Sequence, residues 1–247
     1  MCKKRQQTVM QRPLNVKNVK QFCLREFRKI RHRKGYGVHS PFAYGLITKV
    51  IEEKSGYYAY QQIEELHRLL HDKQDFSKRK GRLLFRLANR FKPQCTVECG
   101  TGGGYATLYL QKGCPSARHF CIEPDPIART AAEQLLMRLP GKATYLNLPM
   151  QAGLDLLHAQ GEQPHLIYVH AQPDAGQCQI TLEHIAPLLN DKSIIIIDGI
   201  RKGKSIHRCW EKFLMQNPQI RATFDLCNMG IAICYPKLNR QNYIVAF

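Results

Sequence analysis

The sequence predicts an α/β fold: a doubly wound, mostly parallel sheet closed by an antiparallel C-terminal hairpin and preceded by a helical extension. Three observations carry this reading. From residue 93 onward, strand-like and helix-like segments alternate, the pattern of a parallel sheet covered by helices. One strand segment, Lys192 to Asp198, holds four consecutive isoleucines, a β-branched run suited to burial on both faces. The residues before Pro93 carry helical spacing only. The chain therefore divides into a basic helical extension or lid, 1–92, and a sheet domain, 93–247.

Taken in order, residues 1–13 are basic and polar and read as a frayed tail. From Leu14 to Arg33 apolar residues recur at gaps of three or four, as in an amphipathic helix with a basic polar face. The string Gly35-Tyr36-Gly37-Val38-His39-Ser40-Pro41-Phe42-Ala43-Tyr44 follows. Its glycines mark a turn, and Ser40-Pro41 can cap and open a helix to about Lys54. Helices are expected from Gln61 to His71 and from Arg82 to Phe91, with the charged stretch 72–81 between them as a loop ending at Gly81. Strands are expected at Thr96–Gly100, Ala117–Glu123, Lys142–Leu148, Leu166–Ala171 and Lys192–Asp198. Helices alternate with them at Asp125–Leu139, Gln151–Gln160, Gly176–Leu189 and Arg201–Gln216. Ala222–Cys227 and Ile231–Tyr235 read as a hairpin about Asn228-Met229-Gly230, and Tyr243–Phe247 as a last strand.

Composition narrows the function classes. No apolar run approaches 18 residues, so no membrane span is expected. The polar start after Met1-Cys2-Lys3-Lys4-Arg5 is not a signal peptide. Ten cysteines include no C-x-x-C pair, and several fall in apolar strand segments. They read as free thiols in a reducing cytoplasm rather than zinc ligands or a disulfide framework. The formal net charge of +18 is concentrated before Gly35, where Glu26 is the only acid. That fits a nucleic-acid, membrane-surface or ribosome partner, and equally a basic proteome or a solvated surface.

The candidate binding site is the turn after the first strand, Glu98-Cys99-Gly100-Thr101-Gly102-Gly103-Gly104. Its glycines allow positive φ and close approach of a ligand to the backbone, and the following helix leaves N–H groups free. A dinucleotide fingerprint would place a third glycine where Tyr105 stands. Glu98, two residues before the first glycine, suits a cationic ligand better than a pyrophosphate. The string E-x-G-x-G-G resembles motif I of the class I S-adenosylmethionine-dependent methyltransferases, whose fold is Rossmann-like. The G-V-H-S-P-F segment resembles one near the start of uncharacterised methyltransferase-like proteins of Bacteroidetes-type bacteria.

The resemblance implies S-adenosyl-L-methionine as cofactor and assigns the site residues. Gly100, Thr101, Gly102, Gly103 and Gly104 would wrap its methionine part, with Glu98 on the ammonium directly or through water. Glu123 lies 23 residues after Gly100, the place of the acid that binds a ribose diol about 20 residues on. Asp125 already serves the next helix as an N-terminal carboxylate. Met150, after the third strand, would touch adenine, although Pro149 and Met150 stand where relatives carry a polar residue. In related O-methyltransferases the fourth strand ends in an aspartate that helps bind a divalent metal or orient the substrate. Here His170 takes that position, while Asp198 keeps the fifth-strand acid and is followed by Gly199. One aspartate and one histidine offer too few oxygens for Mg²⁺, which argues against metal dependence. His170 is either a general base or a local hydrogen-bonding residue in a decayed site. Tyr36, His39 and Tyr44 are either a substrate wall or a helix cap with an aromatic plug.

Three functions follow. The first is a cytoplasmic, metal-independent methyltransferase acting on O or N of a small molecule. The second is an RNA methyltransferase that uses the basic N-terminal helix. The third is a non-catalytic cofactor- or nucleic-acid-binding protein on the same frame.

Overall fold

The computed structural model describes residues 26–28, 35–69, 76–138, 142–170 and 174–247. The basic tail and nearly all of the amphipathic segment 14–33 lie outside the described residues. Helix α1 (Pro41–Leu46) opens at Ser40, whose hydroxyl accepts from the Ala43 N–H, and runs into a π-turn, Ile47–Ile51. Helices α2 (Tyr58–Leu69) and α3 (Lys78–Phe91) follow. Then come β1 (Cys95–Cys99), α4 (Tyr105–Gly113), β2 (Arg118–Ile122), α5 (Pro126–Leu136), β3 (Thr144–Leu146), α6 (Met150–Ala159) and β4 (Leu166–Val169). The chain continues through α7 (Ala175–Ile185), β5 (Ile194–Asp198), α8 (Lys204–Gln216), β6 (Ala222–Asp225), β7 (Met229–Ile233) and β8 (Gln241–Ile244).

The eight strands form one sheet in the order β3-β2-β1-β4-β5-β7-β6-β8. The pairings from β3 to β5 are parallel, and β7 inserts antiparallel between β5 and β6. The last strand, β8, pairs parallel with β6 at the sheet edge. Burial explains the order. The Met-Gly-Ile-Ala-Ile segment of β7 is buried throughout, whereas β8 is largely exposed and suits an edge.

The isoleucine run of β5 serves both faces. Ile194 and Ile196 join a core with the helices of the N-terminal half, and Ile195 and Ile197 join a second core with α6, α7 and α8. The first core is continuous from α1–α3 to the sheet, with Ile47, Leu83 and Leu87 beside Leu108 and Phe224. Tyr60 packs in it against Tyr57 and Phe85 at centroid distances of 5.2 and 5.1 Å. Trp210 and Phe213 belong to the second core.

Gly81 does not end a loop. Helix α3 starts at Lys78, and Gly81 lies inside it, where a Cβ would collide with the Tyr109 ring of α4. A glycine there lets the two helices approach closely. Arg86, buried in the same helix, donates to the Val50 and Ile51 carbonyls at 2.5 and 3.1 Å and so ties α3 to the π-turn. Among the described residues, no helix is long and apolar enough to cross a membrane.

Asp225 joins residue 28 to the sheet. It accepts from Arg28 Nη1 and Nη2 at 2.9 and 3.1 Å and from Arg201 at 2.5 Å. Burial by itself would raise the Asp225 carboxyl, but the two guanidinium groups hold it below its ordinary value. Asp225→Ala leaves Arg28, only 4 % exposed, with the residue 225 carbonyl but without its carboxylate partner, and should cost about 3–5 kcal/mol in urea unfolding at pH 7. Because the folded carboxyl is depressed, the stability it contributes is present above the unfolded value of about 3.9 and is lost as pH falls through the folded one. The gap between variant and wild type should therefore close in acid. A second test is Gly81→Ala. It would stabilise an exposed helix by about 1 kcal/mol but should destabilise this one, read as a lower thermal midpoint.

Candidate cofactor and acceptor site

Helices after β1 and β2 pack on one face of the sheet and those after β3, β4 and β5 on the other. The winding therefore reverses between β1 and β4, and such a reversal opens a crevice at the carboxyl ends of the strands. The register aligns Cys99 with Val169 and Val169 with Ile197. Gly100, His170 and Asp198 thus lie side by side along the crevice, and the His170 N–H donates to the Cys99 carbonyl at 2.9 Å.

Two glycines of the turn are required by geometry. Gly100, at φ 82°, passes His170, whose Cβ would stand 3.3 Å from an added Cβ. Gly104, at φ 83°, brings the start of α4 against Ala132 of α5, where an added Cβ would lie 2.9 Å from the Ala132 Cβ. A side chain at Gly102 would meet nothing within 4 Å, so the turn presents bare backbone to open space. Thr101, Gly102, Gly103, Tyr105, Ala106, Phe76 and His170 line a cleft of about 240 Å³ there.

Glu123 stands at the end of β2 beside this turn. Its Oε2 accepts the Gly102 N–H at 2.8 Å and its Oε1 the Asp125 N–H at 3.0 Å. Asp125 caps α5 through the Ile127 N–H. Glu98 is fully buried on the α4 side of the sheet. Its Oε2 accepts from Thr107 Oγ1 at 2.7 Å and lies 3.3 Å from His119 Nε2. His119 Nδ1 in turn meets Thr96 Oγ1. Glu98 Oε1 is buried with no partner among the described residues. Glu98, His119 and Cys121 are the one grouping of metal-capable donors among the described residues, and burial pushes the Cys121 thiol well up.

Asp198 is engaged from outside the sheet. Lys80, in the first turn of α3, places Nζ 2.6 and 2.7 Å from its two oxygens, and the Gly199 N–H donates to Oδ1 at 2.8 Å. Phe76, just before α3, sets its ring 6.3 Å from that of His170 and 6.4 Å from that of Tyr105, stacked on the latter. Tyr168 lies beneath, its ring 5.4 Å from His170. Burial, then the charges of Asp198 and Glu98, raise its phenol well above the ordinary value.

The structure thus brings together the glycine turn, Glu98, Glu123, His170 and Asp198. Met150 opens α6 and packs partly buried against the second core. Tyr36, His39 and Tyr44 lie elsewhere. Tyr36 is 88 % exposed and borders a groove with Asn242, Tyr243 and Ile244 of β8. That strand is third beyond β5, about 14 Å away at the usual strand spacing. His39 is exposed, and Tyr44 lines a different cleft with Arg79 and Phe247. Lys80, Phe76, Thr107 and His119 escaped the sequence reading. Lys80 and Phe76 sit in a charged stretch with no local motif, so nothing short of the fold reveals them.

Residues 97–200 match the family model described as a methyltransferase domain. Proteins named transmembrane O-methyltransferase, from Homo sapiens and Propithecus coquereli, are 40 % identical over 63 residues. That stretch is 25 % of this chain, which spans about a fifth of the relatives' length, 21 % and 23 % respectively. Among solved structures, a Podospora anserina methyltransferase bound to S-adenosylhomocysteine superposes with TM-score 0.59 at 17 % identity, covering 79 % of this chain and 96 % of that one. A Bacillus cereus O-methyltransferase, also bound to S-adenosylhomocysteine, gives 0.57 at 16 %, covering 77 % and 96 %.

The buried bond from Thr107 to Glu98 should be measurable alone. Thr107→Val keeps the shape and removes the donor, and is expected to cost about 2 kcal/mol in urea unfolding, as for a hydrogen bond to a charged group. A loss under about 0.5 kcal/mol, the size of a surface change, would show that Glu98 does not need it.

Proposed function

We propose that the crevice beyond β1, β2 and β4 binds S-adenosylmethionine, in a chain whose residues 97–200 match the model of a methyltransferase domain and whose sheet has the class I methyltransferase fold. The methyl group goes to an oxygen of a small molecule, without a metal ion. The observation that carries this reading is the pairing of Glu123 with the glycine turn. A carboxylate that is 7 % exposed is clamped by two backbone N–H groups. Each of its oxygens retains a further acceptor site, which fits a vicinal diol.

The residues fit the donor. Gly102 leaves its backbone open to a ligand, and Glu98 Oε1 lacks a partner among the described residues, so a water-borne contact to the ammonium would satisfy it. Met150, the first residue of α6, gives an apolar contact for adenine. Bound there, S-adenosylmethionine supplies an electrophilic methyl on a sulfonium, which leaves as a neutral thioether when the acceptor oxygen attacks.

The chain's own residues then position and deprotonate the acceptor. His170 borders the cleft and takes the hydroxyl proton, a role suited to imidazole. Asp198 gives both oxygens to Lys80. That commitment to an ammonium is the basis for a metal-free site. Oxygen is chosen over nitrogen because the named relatives and the Bacillus cereus neighbour are O-methyltransferases. Holding acceptor and donor in line is itself a large part of such catalysis.

Titration calorimetry tests the reading. Wild type should bind S-adenosylmethionine, and Glu123→Ala should bind at least about tenfold more weakly, since two charge-assisted bonds go with the carboxylate. No heat from wild type at millimolar ligand would sink the proposal.

A further inference from the structure

Lys80 belongs to the helical layer before the sheet, yet its ammonium sits on the end of β5 rather than in solvent. Its side chain is 20 % exposed and that of Asp198 8 %. Ion pairs so far out of water are weak stabilisers, because desolvation offsets most of the Coulomb gain. Packing does not require the pair either, since α3 is already held by its apolar face and by Arg86.

Its location is specific. The sheet register places Asp198 next to His170, and His170 next to Gly100. Phe76, four residues before Lys80, sets its ring 6.3 Å from that of His170 and borders the same cleft. The start of α3 and the residue leading into it therefore border the strand ends where the acceptor must lie, with Phe76 beside His170 and Lys80 beside Asp198. An ammonium carries three N–H donors. Two point at the Asp198 oxygens, at 2.6 and 2.7 Å. Among the described residues no other hydrogen bond uses the third.

We propose that Lys80 is the acceptor-binding residue of this site: its third N–H donates to the oxygen that receives the methyl group, and its charge stabilises that oxygen as its proton passes to His170. Asp198 holds the ammonium in place and does not act as the base. The inference rests on the methyl-transfer reading. It deepens that reading by assigning the orientation of an acidic hydroxyl to a residue outside the methyltransferase domain match. Preorganised charge of this kind acts where negative charge develops and needs no reorganisation at that moment.

The test uses 4-nitrophenol as an acceptor mimic, with full-length protein saturated in S-adenosylhomocysteine. Bound phenolate is read by its visible absorbance at fixed, near-neutral pH. Wild type should enrich the bound phenolate over free solution. Lys80→Met should lower that enrichment about tenfold, one unit in the bound phenol's ionisation, with affinity for S-adenosylhomocysteine within twofold of wild type. Lys80→Arg keeps the charge and should recover part of the band. This separates a charge effect from lost packing, and thermal unfolding checks that each variant is folded. An equal phenolate fraction in wild type and Lys80→Met would overturn the assignment, as would no enrichment in wild type. Failure of wild type to bind S-adenosylhomocysteine at all would instead overturn the methyl-transfer reading.

Discussion

The pairing of β1 with β4 is the contact on which the site depends. These strands are separated by about seventy residues of chain, yet they lie side by side in parallel register. The connections leaving them pass to opposite faces of the sheet. Neither following helix can cover the gap between their ends, and the crevice follows from that. Gly100 and His170 meet across it because the register allows nothing else, and the backbone bond from His170 to Cys99 holds them there.

Around this crevice the protein places polar groups at unusual depth. Glu98 is sealed beneath the turn, with Thr107 and His119 as partners. Glu123 spans two turns through their backbone N–H groups. Buried carboxylates are costly unless hydrogen-bonded, so each fixes the conformation of the loop it serves. Glu123 ties the glycine turn to the start of α5, and Gly104 lets α4 close on Ala132. The turn is thereby rigid on the side of the sheet and open on the side of the crevice. A ligand can then bind with little ordering of the protein.

The N-terminal helices are part of this arrangement. They share a core with the sheet, and α3 carries Lys80 to the strand ends. Close approach of α3 to α4, allowed by Gly81, sets how far over the crevice that helix reaches. A structural glycine in one helix thus helps decide where a charge stands relative to a site built from others.

Much of the fold was legible in the sequence because periodicity reports burial. The isoleucines of β5 marked a strand covered on both sides, and the alternation from β1 to β5 marked a doubly wound sheet. The glycine turn, Glu98 and Glu123 were legible because the chemistry of a turn and the spacing of a carboxylate are local. Other features were not. Gly81 read as a loop end, since a glycine in a helix looks like a stop until the ring it accommodates is known. Tyr36, His39 and Tyr44 form a cluster in the chain, yet Tyr36 and Tyr44 line grooves other than the crevice. The sequence by itself determined which segments are strands, which turn is glycine-rich and which acids flank it, because each is dictated within a few residues. Tertiary structure alone decided that β8 closes the edge, that Phe76 stands beside His170, and that Asp198 faces an ammonium, because these join residues more than ninety positions apart or choose between neighbours equally fit to pair.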